Sequence, residues 1–325
     1  LSVSAFDTGQ VGIRLAVAEG RVAAVSVASE RPQVAALLRG RPADEAVRLA
    51  PLLFSLCGRA QGRAAALALD AARGAEVPPC LDAAVEAEAL REHLWRLLLD
   101  LPPLLGFPAQ RELFLAATQA VAAGDRAGLR GLLAQAAWDE LRQGWRALDQ
   151  PEETAAPLLP ELEAADSLAV WPRLTAAFAA RPEWRGAAAE TGAFARRQGA
   201  AGAVAPAFAA RWQARLDELT TWAEAREKVG AGGTASSASA APGIGRALVA
   251  TARGLLMHEI VLDGGRIDDY VIVAPTEWNF HPRGRLAAWL VGTAADDAEA
   301  LRKRVGPAVS ALDPCVRWTL EIRLV

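Results

Sequence analysis

Val11, Ile13, Leu15 and Val17 alternate with small or polar residues, "EGR" interrupts them, and Val22, Val25 and Val27 follow. Period-two alternation on both sides of a turn predicts a β-hairpin. A second hairpin is predicted near the other end of the chain, in "MHEIVLDGGRIDDYVIVAP". Asp263, Gly264 and Gly265 make its turn, and the glycine pair supplies the positive φ that a tight hairpin needs. Strand signals at both ends, with a different periodicity between them, limit the fold more than any other feature.

Between the hairpins the pattern is helical. "CLDAAVEAEALREHLWRLLLDLPP" puts Leu81, Val85, Leu90, Leu94, Leu97 and Leu101 roughly on one face, and Pro102 is expected to stop that helix. Residues 109–123, 126–149, 206–229 and 295–305 also read as helices. The stretch "GAGGTASSASAAPGIG", residues 230–245, reads as a flexible Gly/Ser/Ala-rich connection. The expected architecture is α+β: a helical bundle flanked by small antiparallel strands from both ends of the chain. Residues 1–325 are expected to form a single domain, because both sides of the connection can share one core.

Length and charge narrow the class. With 325 residues the chain can bury a sizeable core, although much of its 52% hydrophobic content is alanine. The net charge is −3, and no block of basic residues invites nucleic acid. No secretory leader pattern opens the sequence, and Leu113 to Gly124 is too short to span a membrane. A soluble cytoplasmic protein is the expectation. Three cysteines, Cys57, Cys80 and Cys315, are too few and odd in number for a disulfide framework.

Three stretches carry chemistry: "LCGRAQGRAA" (56–65), "ARGLLMHEI" (252–260), and "PTEWNFHPRG" (275–284) running on to "DPCVRW" (313–318). Singly each is weak. Arg253-Gly254 fits a surface turn, Pro275-Thr276 a strand end, and Asp313-Pro314-Cys315 a turn with a buried thiol.

Together, and in this order, they resemble the large subunit of the nickel–iron hydrogenases. That family carries R-x-C-G-x-C-x-x-x-H, A-P-R-G followed by histidine, P-S/T-x-W-N-x-x-P-R, and a terminal D-P-C-x-x-C-x-x-H. "IRLAV" after Gly12, "LLRGRPADEA" and "REHLWRLLLDLPP" extend the resemblance nearly end to end. The departures are informative. Ala60 stands at the second cysteine of the first motif and Ala64 at its histidine. Trp318 stands at the second cysteine of the last motif, Glu321 at its histidine, and Ala252 at the proline before the arginine. Gln10 falls near the family's metal-linked glutamate. Four residues follow Glu321, so no cleavable extension is expected.

In the family, four thiolates bind nickel, and two of them bridge to an iron carrying two cyanides and one carbon monoxide. The resemblance implies that both bridging cysteines are missing here, with the Trp318 indole filling space beside the site. Hydrogen turnover and nickel are therefore not expected. It implies that Cys57 and Cys315 remain as a two-thiolate metal site. It also implies that Arg253 donates to one cyanide and that Pro275 and the Thr276 hydroxyl face the other. This form is similar to the HupK/HoxV-type hydrogenase expression/formation proteins, paralogues of the large subunit. The role this resemblance implies is a non-catalytic scaffold for the Fe(CN)2CO unit. Its implied partners are hydrogenase maturation proteins and the large-subunit precursor.

The remaining candidates read as structural. Cys80 lies at a helix start, His93 packs and hydrogen-bonds, His258 lies in a strand, and His281 lies in a turn. The ten tryptophans read first as core residues. Rival readings are a metal-free docking protein that mimics the large subunit, a divergent hydrogenase, and a metal-free relative like the quinone-site subunit of respiratory complex I.

Overall fold

The computed structural model describes residues 9–32, 34–54, 56–151, 157–197, 207–225, 233–295 and 297–325. Both hairpins form. Strands β1 (Gln10–Ala18) and β2 (Arg21–Glu30) pair antiparallel, with Glu19 and Gly20 at φ 49° and 70° in the turn. Two consecutive left-handed residues match the right-handed twist of the strands they join. Val11, Ile13, Leu15 and Val17 all point into the core.

The small sheet has a third strand that periodicity did not reveal. β8 (Arg317–Leu324) lies parallel to β1, with Gln10 opposite Arg317 and Val17 opposite Leu324, giving the order β2-β1-β8. The two ends of the chain are thus joined, and Cys315 sits two residues before that junction.

The second sheet has five antiparallel strands in chain order: β3 (Val77–Leu81), β4 (Thr234–Ala241), β5 (Ile244–Thr251), β6 (Gly254–Asp263) and β7 (Arg266–Val273). The expectation of a flexible connection over 230–245 is corrected here. Residues 230–232 lie outside the described residues, but "TASSASAA" is an internal strand bonded to β3 and β5. Its small side chains hide any apolar alternation, and they allow close packing. The helix Gly58–Ala72 lies across the sheet through buried Ala64, Ala65, Ala68 and Ala72. A Cβ on Gly245 would stand 2.1 Å from the Ala68 carbonyl oxygen and 2.2 Å from the Ala72 nitrogen, so only glycine permits this approach.

The helical body contains Ala83–Trp95, Arg111–Ala123, Arg126–Leu133, Ala136–Ala147, Ala207–Glu224 and Ala298–Leu312. Pro102 does not stop the first of these. A π turn, Arg96–Asp100, leads into a last helical turn, Leu101–Leu104, whose first positions hold Pro102 and Pro103. Proline is tolerated there because first-turn N–H groups lack helical partners anyway. One core joins hairpin residues Ile13 and Leu15 to Leu90, Leu94, Trp138, Trp145 and Trp212 of the body. The tryptophans thus serve mainly as core. Trp95 and Trp318 are the exposed exceptions among the tryptophans.

Candidate metal centre

Cys57 precedes the helix Gly58–Ala72 and occupies its N-cap, yet its side chain makes no capping bond. The Glu88 carboxylate caps instead, accepting from the Arg59 and Ala60 nitrogens at 2.8 and 3.1 Å. The Cys57 sulfur is thereby left for other partners. Gln61, one turn on, donates through Nε2 to Cys57 Sγ at 3.6 Å. Its Oε1 then accepts from His258 Nε2 at 2.8 Å, and His258 Nδ1 meets the Tyr270 hydroxyl at 2.8 Å. The chain Tyr270–His258–Gln61 fixes the direction of the amide that faces the thiol.

Burial lowers the pKa of His258 to about 3, so this imidazole is neutral across the physiological range. The ring 15N shifts of His258 are expected to show the neutral Nε2–H tautomer at pH 5 as at pH 8. An unfolded histidine titrates near pH 6.5. The folded ring thus binds its proton less readily than the unfolded one. Its contribution to stability is present above about pH 6.5 and declines as pH falls toward 3. A ring that protonates near pH 6.5 in the native protein contradicts the chain of bonds.

Cys315 is placed by the end of the helix Ala298–Leu312. Asp313 takes a left-handed conformation, φ 55°, and turns the chain out of that helix. Its buried carboxylate faces Arg96 Nε at 2.5 Å, Arg253 Nε at 3.3 Å and Arg215 Nε at 3.9 Å. Arg96 also donates to the Pro314 carbonyl at 2.8 Å. Burial opposes ionisation of Asp313, but Arg253, Arg96 and Arg215 outweigh it and hold the carboxyl well below its usual range. Asn279 donates to the carbonyls of Arg253 and Leu312 at 3.2 and 3.3 Å, tying the second motif to the last.

Pro275 opens the short helix Pro275–Asn279, and Thr276 follows it. Thr276 Oγ1 donates to Cys315 Sγ at 3.0 Å and accepts from the Cys315 nitrogen at 3.3 Å. Cys57 and Cys315, from opposite ends of the sequence, line one cavity of about 40 Å³ with Arg31, Phe54, Leu56 and Val316. The two thiols expected to share a site are therefore neighbours. Burial first, and then the charge of Cys315, pushes the Cys57 thiol up to about 12, against the pull of Arg253 and Gln61. A metal cation binding here would have to displace that proton.

Of the motif residues behind the thiols, Thr276 stands directly against the Cys315 sulfur, and Arg253 is close enough for the charges of both thiols to act on it, while the cavity wall itself is formed by other residues. Arg253 is buried; its Nη2 donates to Glu92 at 3.0 Å, and its Nε stands 3.3 Å from Asp313 as an ion pair without a hydrogen bond. Carboxylates within reach capture a buried guanidinium before any distant acceptor does. Trp318 does not fill the site: it lies on β8 opposite Val11 and is 37% exposed. Gln10 donates to Glu30. Ala60 and Ala64 are packed against the large sheet's core.

Two polar residues escaped sequence reading. Glu92 follows Arg91 in the Leu-rich helix with nothing to mark it. Arg31, just past β2, donates to Glu277 Oε1 at 3.2 Å, and Glu277 also accepts from Ser29 Oγ at 3.0 Å. No local signal distinguishes Arg31 from other surface arginines.

Cys80 is elsewhere, its sulfur 3.5 Å from the Ala235 carbonyl on β4. His93 is buried against Glu218 at 2.7 Å, and His281 accepts from the Arg283 nitrogen in a turn. Among the described residues no group of three or more His, Cys, Asp or Glu is placed to hold a metal. Two soft sulfurs suit a soft metal that brings ligands of its own; they do not suit a bare ion needing four protein donors. A larger cavity of about 320 Å³, lined in part by Leu159, Glu163, Thr191, Ser236 and Leu248, has no part in this site.

Residues 187–317, which include Arg253, Thr276 and Cys315, match the family described as nickel-dependent hydrogenase. The chain is 36% identical to the hydrogenase expression/formation protein HoxV of Cupriavidus necator, over 91% of this chain and 92% of that one. It is 33% identical to the hydrogenase expression/formation protein HupK of Rhizobium leguminosarum bv. viciae, over 97% of both. The chain belongs to the HoxV/HupK family of hydrogenase expression/formation proteins. In fold it is similar to the reduced, active Ni-Fe-Se hydrogenase of Desulfomicrobium baculatum. The TM-score is 0.57 at 14% identity, over 93% of this chain and 95% of that one. A Ni-Fe-Se hydrogenase variant from Desulfovibrio vulgaris Hildenborough gives a TM-score of 0.56 at 16% identity, over 92% of this chain and 94% of that one. A HoxV/HupK chain thus has the hydrogenase architecture with alanine and tryptophan where the resemblance calls for the second thiols.

Proposed function

We propose that this HoxV/HupK protein is a non-catalytic scaffold of hydrogenase maturation. It holds the Fe(CN)2CO unit as cargo on Cys57 and Cys315 and passes it to the large-subunit precursor. The support is that two cysteines from opposite ends of the chain line one cavity, while Ala60 and Trp318 stand at the positions of the bridging cysteines. Gln61 donates to one sulfur and Thr276 to the other. Hydrogen bonds to a thiolate stabilise the charged form that a metal needs and orient its lone pairs. Nickel has no place in this cycle. The partners are the maturation proteins that deliver the iron unit and the precursor that receives it, and the setting is the cytoplasm. Among the described residues no helix is long and apolar enough to cross a membrane.

The test is an infrared spectrum of the protein purified without oxygen. Metal-bound cyanide and carbonyl stretches are expected, together with iron and no nickel. Their absence, with maturation intact, favours a metal-free docking protein. Stoichiometric nickel favours a divergent hydrogenase.

A further inference from the structure

We infer that Arg31 is a cargo-binding residue, donating hydrogen bonds from the cavity wall to the cyanide nitrogens of the iron unit. The inference rests on the scaffold reading and assigns to Arg31 a role that motif comparison gives to Arg253.

Four observations carry it. Arg31 lines the same cavity as Cys57 and Cys315, whereas Arg253 does not. Among the described residues Arg31 has one hydrogen-bonded nitrogen, Nη1 on Glu277 at 3.2 Å, which leaves Nε and Nη2 to donate. Arg253 has its Nη2 bonded to Glu92, and its Nε is paired by charge, without a hydrogen bond, to Asp313. The Arg31 side chain is only 14% exposed, and Glu277 that holds it is itself held by Ser29, so the guanidinium is aimed rather than free.

The chemistry of the cargo asks for such a group. Two thiolates and two cyanides outweigh a ferrous ion by two negative charges, and the excess falls largely on sulfur and on the cyanide nitrogens. Those nitrogens are acceptors directed outward from the iron. A guanidinium offers permanent charge and two parallel donors to them. Arg253 is the more deeply buried of the two, 5% exposed against 14% for Arg31. Its charge, shared with Glu92 and Asp313, fastens the turn that carries Cys315, so it acts as a positioning residue.

The test compares the full chain, purified without oxygen, with its Arg31→Gln and Arg31→Lys variants. Two quantities are read: the cyanide stretching frequencies, and the rate at which a ferrous chelator strips iron. Arg31→Gln is expected to shift at least one cyanide band and to speed iron loss about tenfold or more, the effect of one lost charge-assisted hydrogen bond. Arg31→Lys is expected to recover part of the retention but not the parent frequencies, because an ammonium cannot present the fork. Urea midpoints report folding, and Arg31→Lys alone carries the test if the glutamine variant does not fold. Parent-like frequencies and parent-like iron loss in a folded variant overturn the role of Arg31 and leave the scaffold reading standing. A parent protein without cyanide bands overturns the scaffold reading and this inference with it.

Discussion

Cys57→Ala and Cys315→Ala are each expected to strip the protein of iron while leaving it folded. In the proposed scaffold each sulfur would supply one of two metal bonds, since no third ligand stands nearby among the described residues. Losing either turns a two-point grip into a single bond that solvent or chelator readily displaces. The structural cost is small. Both residues are only half-buried, and removing one sulfur from such a place costs about 1 kcal/mol. Cys80→Ala is the control, because that thiol faces the Ala235 carbonyl and not the cavity. Iron per chain and hydrogenase maturation in cells lacking the native copy are measured side by side. Near-total loss of both in the Cys57 and Cys315 variants, with neither changed by Cys80→Ala, is the expected outcome. Iron retained in both single variants sinks the shared-site reading.

The largest effect on stability is expected from Asp313→Asn. Asparagine tolerates the left-handed φ of 55°, so the change removes charge without straining the backbone. It leaves Arg96, Arg215 and Arg253 converging on a neutral amide, with Glu92 the nearest carboxylate left to Arg253. Breaking a buried ion pair from one side typically costs about 3–5 kcal/mol. A drop of that order in the urea unfolding free energy is expected. The pH dependence has a definite sign. The folded Asp313 carboxyl titrates below its usual range, so its contribution is fully present above about pH 4, near the unfolded value, and is lost as pH falls further. The parent should lose stability on acidification below pH 4 more steeply than the variant. Equal urea midpoints for parent and variant at pH 7 would falsify the view that this carboxylate fastens the Cys315 turn. Iron retention in Asp313→Asn should fall as well, since the turn also places the sulfur.

The sequence by itself determined both hairpins, most of the helical body and the two cysteine motifs. Val11, Ile13, Leu15 and Val17 alternate because neighbouring strand residues face opposite sides, and Gly264-Gly265 turns because glycine alone reaches those dihedrals at no steric cost. Such signals are written among residues close in the chain. The tertiary structure decided what depends on partners far away. Thr234–Ala241 looks like linker until β3 and β5 bond it on both sides, next to the point where the helix Gly58–Ala72 comes too close to Gly245 of β5 for any side chain. β8 becomes a strand because β1, some three hundred positions earlier, offers an open edge. Cys57 and Cys315 could be paired from their motifs, but their common cavity exists only once the two ends of the chain lie together. Glu92 and Asp313 flank Arg253, and Glu277 holds Arg31, in contacts that no stretch of neighbouring sequence announces. A buried charge goes to the nearest opposite charge, and which charge is nearest is a property of the folded chain.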